Sequence, residues 1–192
     1  MLETRPAASA AVDTILDELH AVLTRVQHDQ ADSLDRLSAE LTGARAVFVH
    51  GAGRSGIAVR GLAMRLMHLG LTAHVVGETT TPAIGTGDLL LAVSGSGTTP
   101  GVVRAAETAV AAGAAVAAIT NDPGSPLAGL ARVTVTVGAA SKTDHSGTAS
   151  AQYAGSLFEQ AVGLLGDAVF HGLWQRSGLA AAEIWPRHAN LE

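Results

Sequence analysis

Leu89-Leu90-Leu91-Ala92-Val93-Ser94-Gly95-Ser96-Gly97-Thr98-Thr99-Pro100 is an apolar run that breaks into a hydroxyl- and glycine-rich turn and then into the start of a helix. Five apolar residues without polar alternation describe a strand buried on both faces, the habit of parallel sheets covered by helices. Thr99 suits a helix N-cap, and Pro100 suits the first helical turn, where its missing N–H costs nothing. The same order of events occurs at Ala46–His50, which runs into Gly51-Ala52-Gly53-Arg54-Ser55-Gly56 and a helical pattern at Gly56–Leu69. Further apolar runs near Ala73–Val76, Ala114–Ile119 and Val133–Val137 alternate with helical patterns at Pro100–Ala112 and from Pro126. The expected fold is α/β, a three-layer doubly wound five-stranded parallel sheet with N- and C-terminal helices. Right-handed crossovers bring the strand ends to one edge, where ligands usually bind.

Upstream, Val12, Ile15, Leu16, Leu19, Val22, Leu23 and Val26 recur at helical spacing. A second short helix is expected over Asp32–Leu41, and Gly43 breaks the pattern before the first strand. Downstream, the polar stretch Ala139–Ser150 is the one sizeable loop expected, of a length common among lids. A long helix is expected from Ser156 to about Trp174, and the chain ends in Arg187-His188-Ala189-Asn190-Leu191-Glu192. No repeat or second domain is visible. Residues 1–192 read as a single domain, with N-terminal helices over 1–42, a βα core over 43–138, a lid-like loop over 139–155, and a C-terminal helix and tail over 156–192.

Composition narrows the chemistry. The chain has 192 residues, 47% hydrophobic and 15% charged, enough for a proper core and too apolar for disorder. Absence of cysteine removes disulfides and thiolate chemistry, and the eight histidines show no paired ligand spacing. The net charge of −5, with no basic run, argues against nucleic acid but leaves room for a small phosphate held locally. Asp13 and Asp17 interrupt what could have been the apolar core of a signal peptide, and no apolar run approaches the ~20 residues of a membrane span. A cytoplasmic protein is expected.

Both turns suit an anion. Glycines in 51–56 let backbone N–H groups approach a ligand at the positive end of a helix. The string also fits a dinucleotide pattern, with Glu78 beyond the second strand as a ribose-binding acid, and an ordinary tight turn fits it equally. Serines and threonines in 94–99, beside N–H groups and a helix dipole, suit a phosphate monoester. A dinucleotide fold does not need this second cradle.

At these residues the chain resembles the sugar isomerase (SIS) domain family, and within it the 6-phospho-3-hexuloisomerase branch of the ribulose monophosphate pathway. The matching stretches are Gly51–Gly56, Ala63-Met64-Arg65-Leu66-Met67-His68-Leu69-Gly70, Val76-Gly77-Glu78-Thr79-Thr80-Thr81-Pro82, Ser94–Thr99, Gly155-Ser156-Leu157-Phe158-Glu159-Gln160 and Arg187–Glu192. The resemblance implies a flavodoxin-like sheet, a homotetramer with shared active sites, and no metal or organic cofactor. It implies interconversion of D-arabino-hex-3-ulose 6-phosphate and fructose 6-phosphate in formaldehyde fixation, with functional coupling to 3-hexulose-6-phosphate synthase. By carry-over, Ser55, Ser94, Ser96 and Thr99 hold the phosphate, flanked by Gly53, Arg54 and Thr98. Glu159 is the catalytic base, His68 assists, and His188 is a further catalytic candidate. Tyr153-Ala154 stands where the resemblance expects Pro-Met, and Lys142 is a plausible member of the lid's contacts.

Plainer readings stand beside these. Ser156-Leu157-Phe158-Glu159 also reads as a capping box that merely ties off a helix. His68 also suits a packed residue or a partner of a helix C-terminus. Arg54 reaches the phosphate or faces solvent, and His188 sits in a tail of the kind that often frays. Rival functions are another SIS aldose–ketose isomerase, a non-catalytic sugar-phosphate sensor and a small dinucleotide-binding module.

Overall fold

The computed structural model describes residues 8–142 and 148–191. In chain order these form α1 (Ala8–Asp29), α2 (Ala31–Gly43), β1 (Val47–Gly51), α3 (Gly53–His68), β2 (Ala73–Val75), β3 (Leu89–Val93) and α4 (Pro100–Ala111). They continue with β4 (Ala115–Thr120), α5 (Pro126–Leu130), β5 (Val133–Thr136), α6 (Ser156–Ser177), α7 (Ala181–Ile184) and a 3-10 turn at Trp185–Arg187. The strands form one parallel sheet in the order β2-β1-β3-β4-β5, which is the flavodoxin-like order.

Side chains leave a strand alternately on its two faces, and the apolar runs serve both. Val47, Val49, Leu89, Leu91, Val93, Ala117 and Ile119 face a core shared with α1, α2, α3 and α6. Phe48, Leu90, Ala92, Val116 and Ala118 face a second core under α4 and α5. Leu91 and Leu66 are completely buried in the first core, so truncating either to alanine should cost about 2–5 kcal/mol. The second core is built largely from alanine, and Ala106 and Ala109 of α4 are fully buried against the strands. Small side chains let that helix approach the sheet closely.

The strand assignments shift by at most one residue at either end, but two features differ from expectation. Residues 139–150 are not the one sizeable loop, because residues 76–88 also cross from β2 to β3 without a helix. Local bonds hold this second loop: Thr81 Oγ1 donates to Val75 O at 2.5 Å, and Gly85 N–H donates to Asp88 at 2.9 Å. Burial alone would raise the Asp88 pKa. The Arg45 and Gly85 hydrogen bonds and the positive charge of Arg45 more than offset this and hold the carboxyl below its usual range. The other difference is that the glycine-rich segment 51–56 is mostly helix rather than turn, since α3 begins at Gly53. Gly56 is required there: a Cβ on it would collide with the Gly51 carbonyl of β1.

Candidate active site

The C-terminal ends of β1, β3, β4 and β5 open onto a cavity of about 330 Å³. Ser55 enters it from the first turn of α3, Gly95, Ser96 and Thr98 from the β3 turn, and Asn121 from the end of β4. Ala140, Ser141 and Lys142 line it after β5, and Gly155, Phe158 and Glu159 line it from the start of α6. Three larger grooves lie elsewhere: one at the opposite sheet edge beside Asp88 and Arg132, one between α1, α3 and α6, and one of about 350 Å³ between α4 and the loop that follows β2. In the first, Asp88 is paired with Arg45, and Glu40 and Arg132 are paired with each other; the second is mainly apolar. Among the described residues, only the cavity at the strand ends combines hydroxyls, a carboxylate and an ammonium group at the edge where parallel sheets bind ligands.

Glu159 is not part of a capping box. Gly155 takes the N-cap position and supplies no side-chain bond, so Ser156 is already inside the helix. Both polar side chains turn instead to Arg54 of α3. Its Nη1 donates to Ser156 Oγ at 3.0 Å and lies 3.2 Å from Glu159 Oε2. Arg54 is thus paired rather than free and is not among the residues lining the cavity; it braces the carboxylate. The Glu159 side chain is 15% exposed, open to the cavity yet held by α6 and Arg54.

The β3 turn brings Ser96 and Thr98 into the cavity but keeps Ser94 behind them. Ser94 is buried, with its hydroxyl 2.8 Å from Thr99 Oγ1 and accepting from Gly97 N–H at 3.1 Å. Thr99 is the N-cap residue by position, but its hydroxyl serves Ser94 and caps no helical N–H. The N–H groups of this turn are not all free. Thr98 N–H and Oγ1 both donate to Ser96 Oγ, at 3.3 and 2.9 Å. Gly97 has φ +63° and faces the Ser125 hydroxyl so closely that no side chain would fit. Of the residues expected to hold phosphate, Ser55, Ser96 and Thr98 meet in the cavity. Ser94 and Thr99 shape the turn, while Gly53 and Arg54 form the helix start beside it.

His68 and His188 lie elsewhere. His68 ends α3, and the helix from Ser55 to His68 carries it about 20 Å away from the cavity. It is buried, its Nδ1 has no partner among the described residues, and its ring stacks on His188 with centroids 3.9 Å apart. Burial, then the charges of His188 and Arg65, push its pKa down. Trp185 stacks on the other side of His188 at 4.6 Å, and Arg187 Nη1 donates to His68 O at 3.0 Å. The tail therefore docks on the C-terminal end of α3 in its own chain, and these histidines do not meet Glu159 within one chain.

Residues 40–162 match the SIS domain family model. The chain is 52% identical to 3-hexulose-6-phosphate isomerase of Mycobacterium gastri, over 96% of this chain and 97% of that protein. It is 37% identical to the Bacillus subtilis protein of the same name, covering 94% of this chain and 97% of the other. The chain belongs to the SIS domain family. A Methanococcus jannaschii crystal structure described as inferring a 3-hexulose-6-phosphate isomerase function superposes with a TM-score of 0.82 at 31% identity, covering 95% of this chain and 99% of that one.

Two residues of this SIS domain escaped the sequence reading. Asn121 follows β4 and lines the cavity, and its Oδ1 accepts from Ala139 N–H at 3.0 Å. Its only sequence signal is its place just beyond a buried strand. Glu18 of α1 accepts from Ser150 Oγ, Ala151 N–H and Gln152 Nε2 at 2.6, 2.7 and 2.9 Å. These bonds anchor the end of the lid-like loop to the first helix. Nothing local marks Glu18, whose partners lie more than 130 residues away. Residues 143–147, the centre of the expected lid, lie outside the described residues, as does Glu192 at the end of the tail.

Proposed function

We propose that this SIS domain is a 3-hexulose-6-phosphate isomerase, interconverting D-arabino-hex-3-ulose 6-phosphate and fructose 6-phosphate through an enediol. The observation that carries the proposal is the sharing of one cavity by the Glu159 carboxylate and the Ser96, Thr98 and Ser55 hydroxyls. Near full-length similarity to two proteins of that name supports it.

Moving the carbonyl from carbon 3 to carbon 2 takes a proton from carbon 2 and returns one to carbon 3. A single carboxylate over both carbons serves both transfers. Glu159 takes the carbon 2 proton, electrons move to the carbon 3 oxygen, and the resulting enediolate is reprotonated at carbon 3. The hydroxyl proton at oxygen 2 is lost and one is gained at oxygen 3, which requires a shuttle or a stabilising donor. The carbon 3 ketone could close a five-membered ring only through the oxygen on carbon 6, which carries the phosphate. The 3-hexulose phosphate is therefore open-chain and needs no acid for ring opening, whereas fructose 6-phosphate, whose carbon 2 ketone closes on the oxygen of carbon 5, reacts in the reverse direction from its open-chain form. The Ser96 and Thr98 hydroxyls, with Ser55 opposite, hold the phosphate near the N-termini of α3 and α4.

The proposal extends to assembly. Roles for His68 and His188 at the reacting carbons require a neighbouring subunit to bring them, since α3 separates them from Glu159 in their own chain. A homotetramer with shared sites, working in the cytoplasm beside 3-hexulose-6-phosphate synthase in formaldehyde fixation, fits this requirement. Among the described residues, no helix is long and apolar enough to cross a membrane. The test is turnover: the purified protein, given the 3-hexulose phosphate, should form fructose 6-phosphate without added metal or nucleotide. Stabilisation by NAD without such turnover would favour a dinucleotide module instead.

A further inference from the structure

Asn121 is held more firmly than a cavity-lining amide needs to be. Its backbone N–H donates to Gly95 O at 3.0 Å, and the preceding Thr120 hydroxyl donates to the same carbonyl at 3.3 Å. Val137 N–H of the chain leaving β5 bonds Thr120 O at 2.9 Å. The ends of β3, β4 and β5 are thus tied together at this residue. Ala139 N–H can be satisfied only by an acceptor, so the side-chain oxygen faces it and Nδ2 faces the other way. There Nδ2 lies beside the side-chain-free face of Gly95, which lines the same cavity. A Cβ on Gly95 would sit 3.5 Å from Asn121 Nδ2 and 3.3 Å from the Phe158 ring, the residue before Glu159. No described residue accepts from Nδ2.

We propose that Asn121 is a catalytic residue whose Nδ2 donates a hydrogen bond to the oxygen on carbon 2 or carbon 3 as enediolate charge develops. The inference rests on the isomerase reading above and deepens it. Proton abstraction by Glu159 places negative charge on an oxygen, and a donor already fixed in place stabilises that charge without reorganising. A neutral amide does this without neutralising the carboxylate base beside it. The three strand ends supply the rigidity.

Asn121→Asp separates the donor from the scaffold. Aspartate keeps an oxygen for Ala139 N–H but offers no donor, so its melting temperature should stay near that of the parent. Its kcat should fall by about 10²–10³-fold, the usual effect of losing one oxyanion donor. Asn121→Ala adds no charge, and it should lose kcat to a similar extent while inorganic phosphate inhibits it as well as it inhibits the parent. Parent-like kcat in the Asp variant overturns the donor role. Parallel loss of melting temperature, phosphate inhibition and kcat in both variants overturns it in favour of a scaffold residue. A parent protein that does not turn over the 3-hexulose phosphate overturns the reaction itself, which distinguishes that failure from this one.

Discussion

Glu159 and Ser96 face the same cavity with opposite assignments, and single substitutions should separate them. Glu159→Gln preserves size but removes the carbon-proton acceptor, so turnover should fall by about 10²–10⁴-fold, with phosphate inhibition retained. Ser96→Ala should instead weaken substrate and phosphate by about 0.5–3 kcal/mol, the range for one hydrogen bond to a neutral or charged partner. Steady-state kinetics with phosphate as competitor reads both. Phosphate inhibition unchanged in the Ser96 variant would remove it from the cradle. At this scale the sequence was partly misleading. Ser156-x-x-Glu159 is a local pattern, and local patterns favour a capping box. The residue that engages both side chains, Arg54, lies 102 residues from Ser156, so only the folded chain reveals it. The arginine of the Arg54–Glu159 pair is largely exposed, so water screens the interaction and it contributes little to stability. Its effect is to orient the Glu159 carboxylate.

The elements were far more legible. Apolar runs marked the three central strands, β1, β3 and β4, because a sheet covered on both faces leaves little polar alternation there, while the edge strands β2 and β5 carry His74, Thr134 and Thr136 and were marked by shorter patterns. The helix-free crossing at 76–88 was missed because β2 is only three residues long and nothing local announces how the next residues return. Helix α7 and the 3-10 turn were too short to carry a period. The lid-like loop was visible as a polar stretch, whereas its anchor was not. Burial alone would raise the Glu18 pKa, but the bonds from Ser150, Ala151 and Gln152 outweigh it and leave the carboxyl below its usual 4.5. A depressed carboxyl stabilises the fold above its unfolded pKa and loses that contribution as pH falls through the folded value. Anchoring should therefore be intact at neutral pH and weaken below about pH 4.5. Glu18→Ala should mimic acid at neutral pH. Limited proteolysis should cut within 139–155 faster in this variant, with the core melting temperature nearly unchanged. Equal cleavage rates would show that the loop is held by other contacts.

For the whole molecule, apolar runs predict a parallel sheet but not the order of its strands; resemblance supplied that order, and the hydrogen-bonded register gives it directly. Resemblance also joined His68 and His188 to Glu159, and in one chain they stand at opposite ends of α3. If assembly reunites them, deleting residues 187–192 should abolish activity with little loss of fold, and mixing that deletion with Glu159→Gln should restore some turnover in hybrid oligomers. Full activity in the deleted protein would dismiss the tail from the site. The reaction itself is tested most directly by exchange of carbon-bound protons. Incubated with fructose 6-phosphate in heavy water, the protein should wash deuterium into carbon 3, because an enediol across carbons 2 and 3 has lost that proton. NMR showing label at carbon 1 alone would mean an aldose–ketose isomerase and would contradict the account.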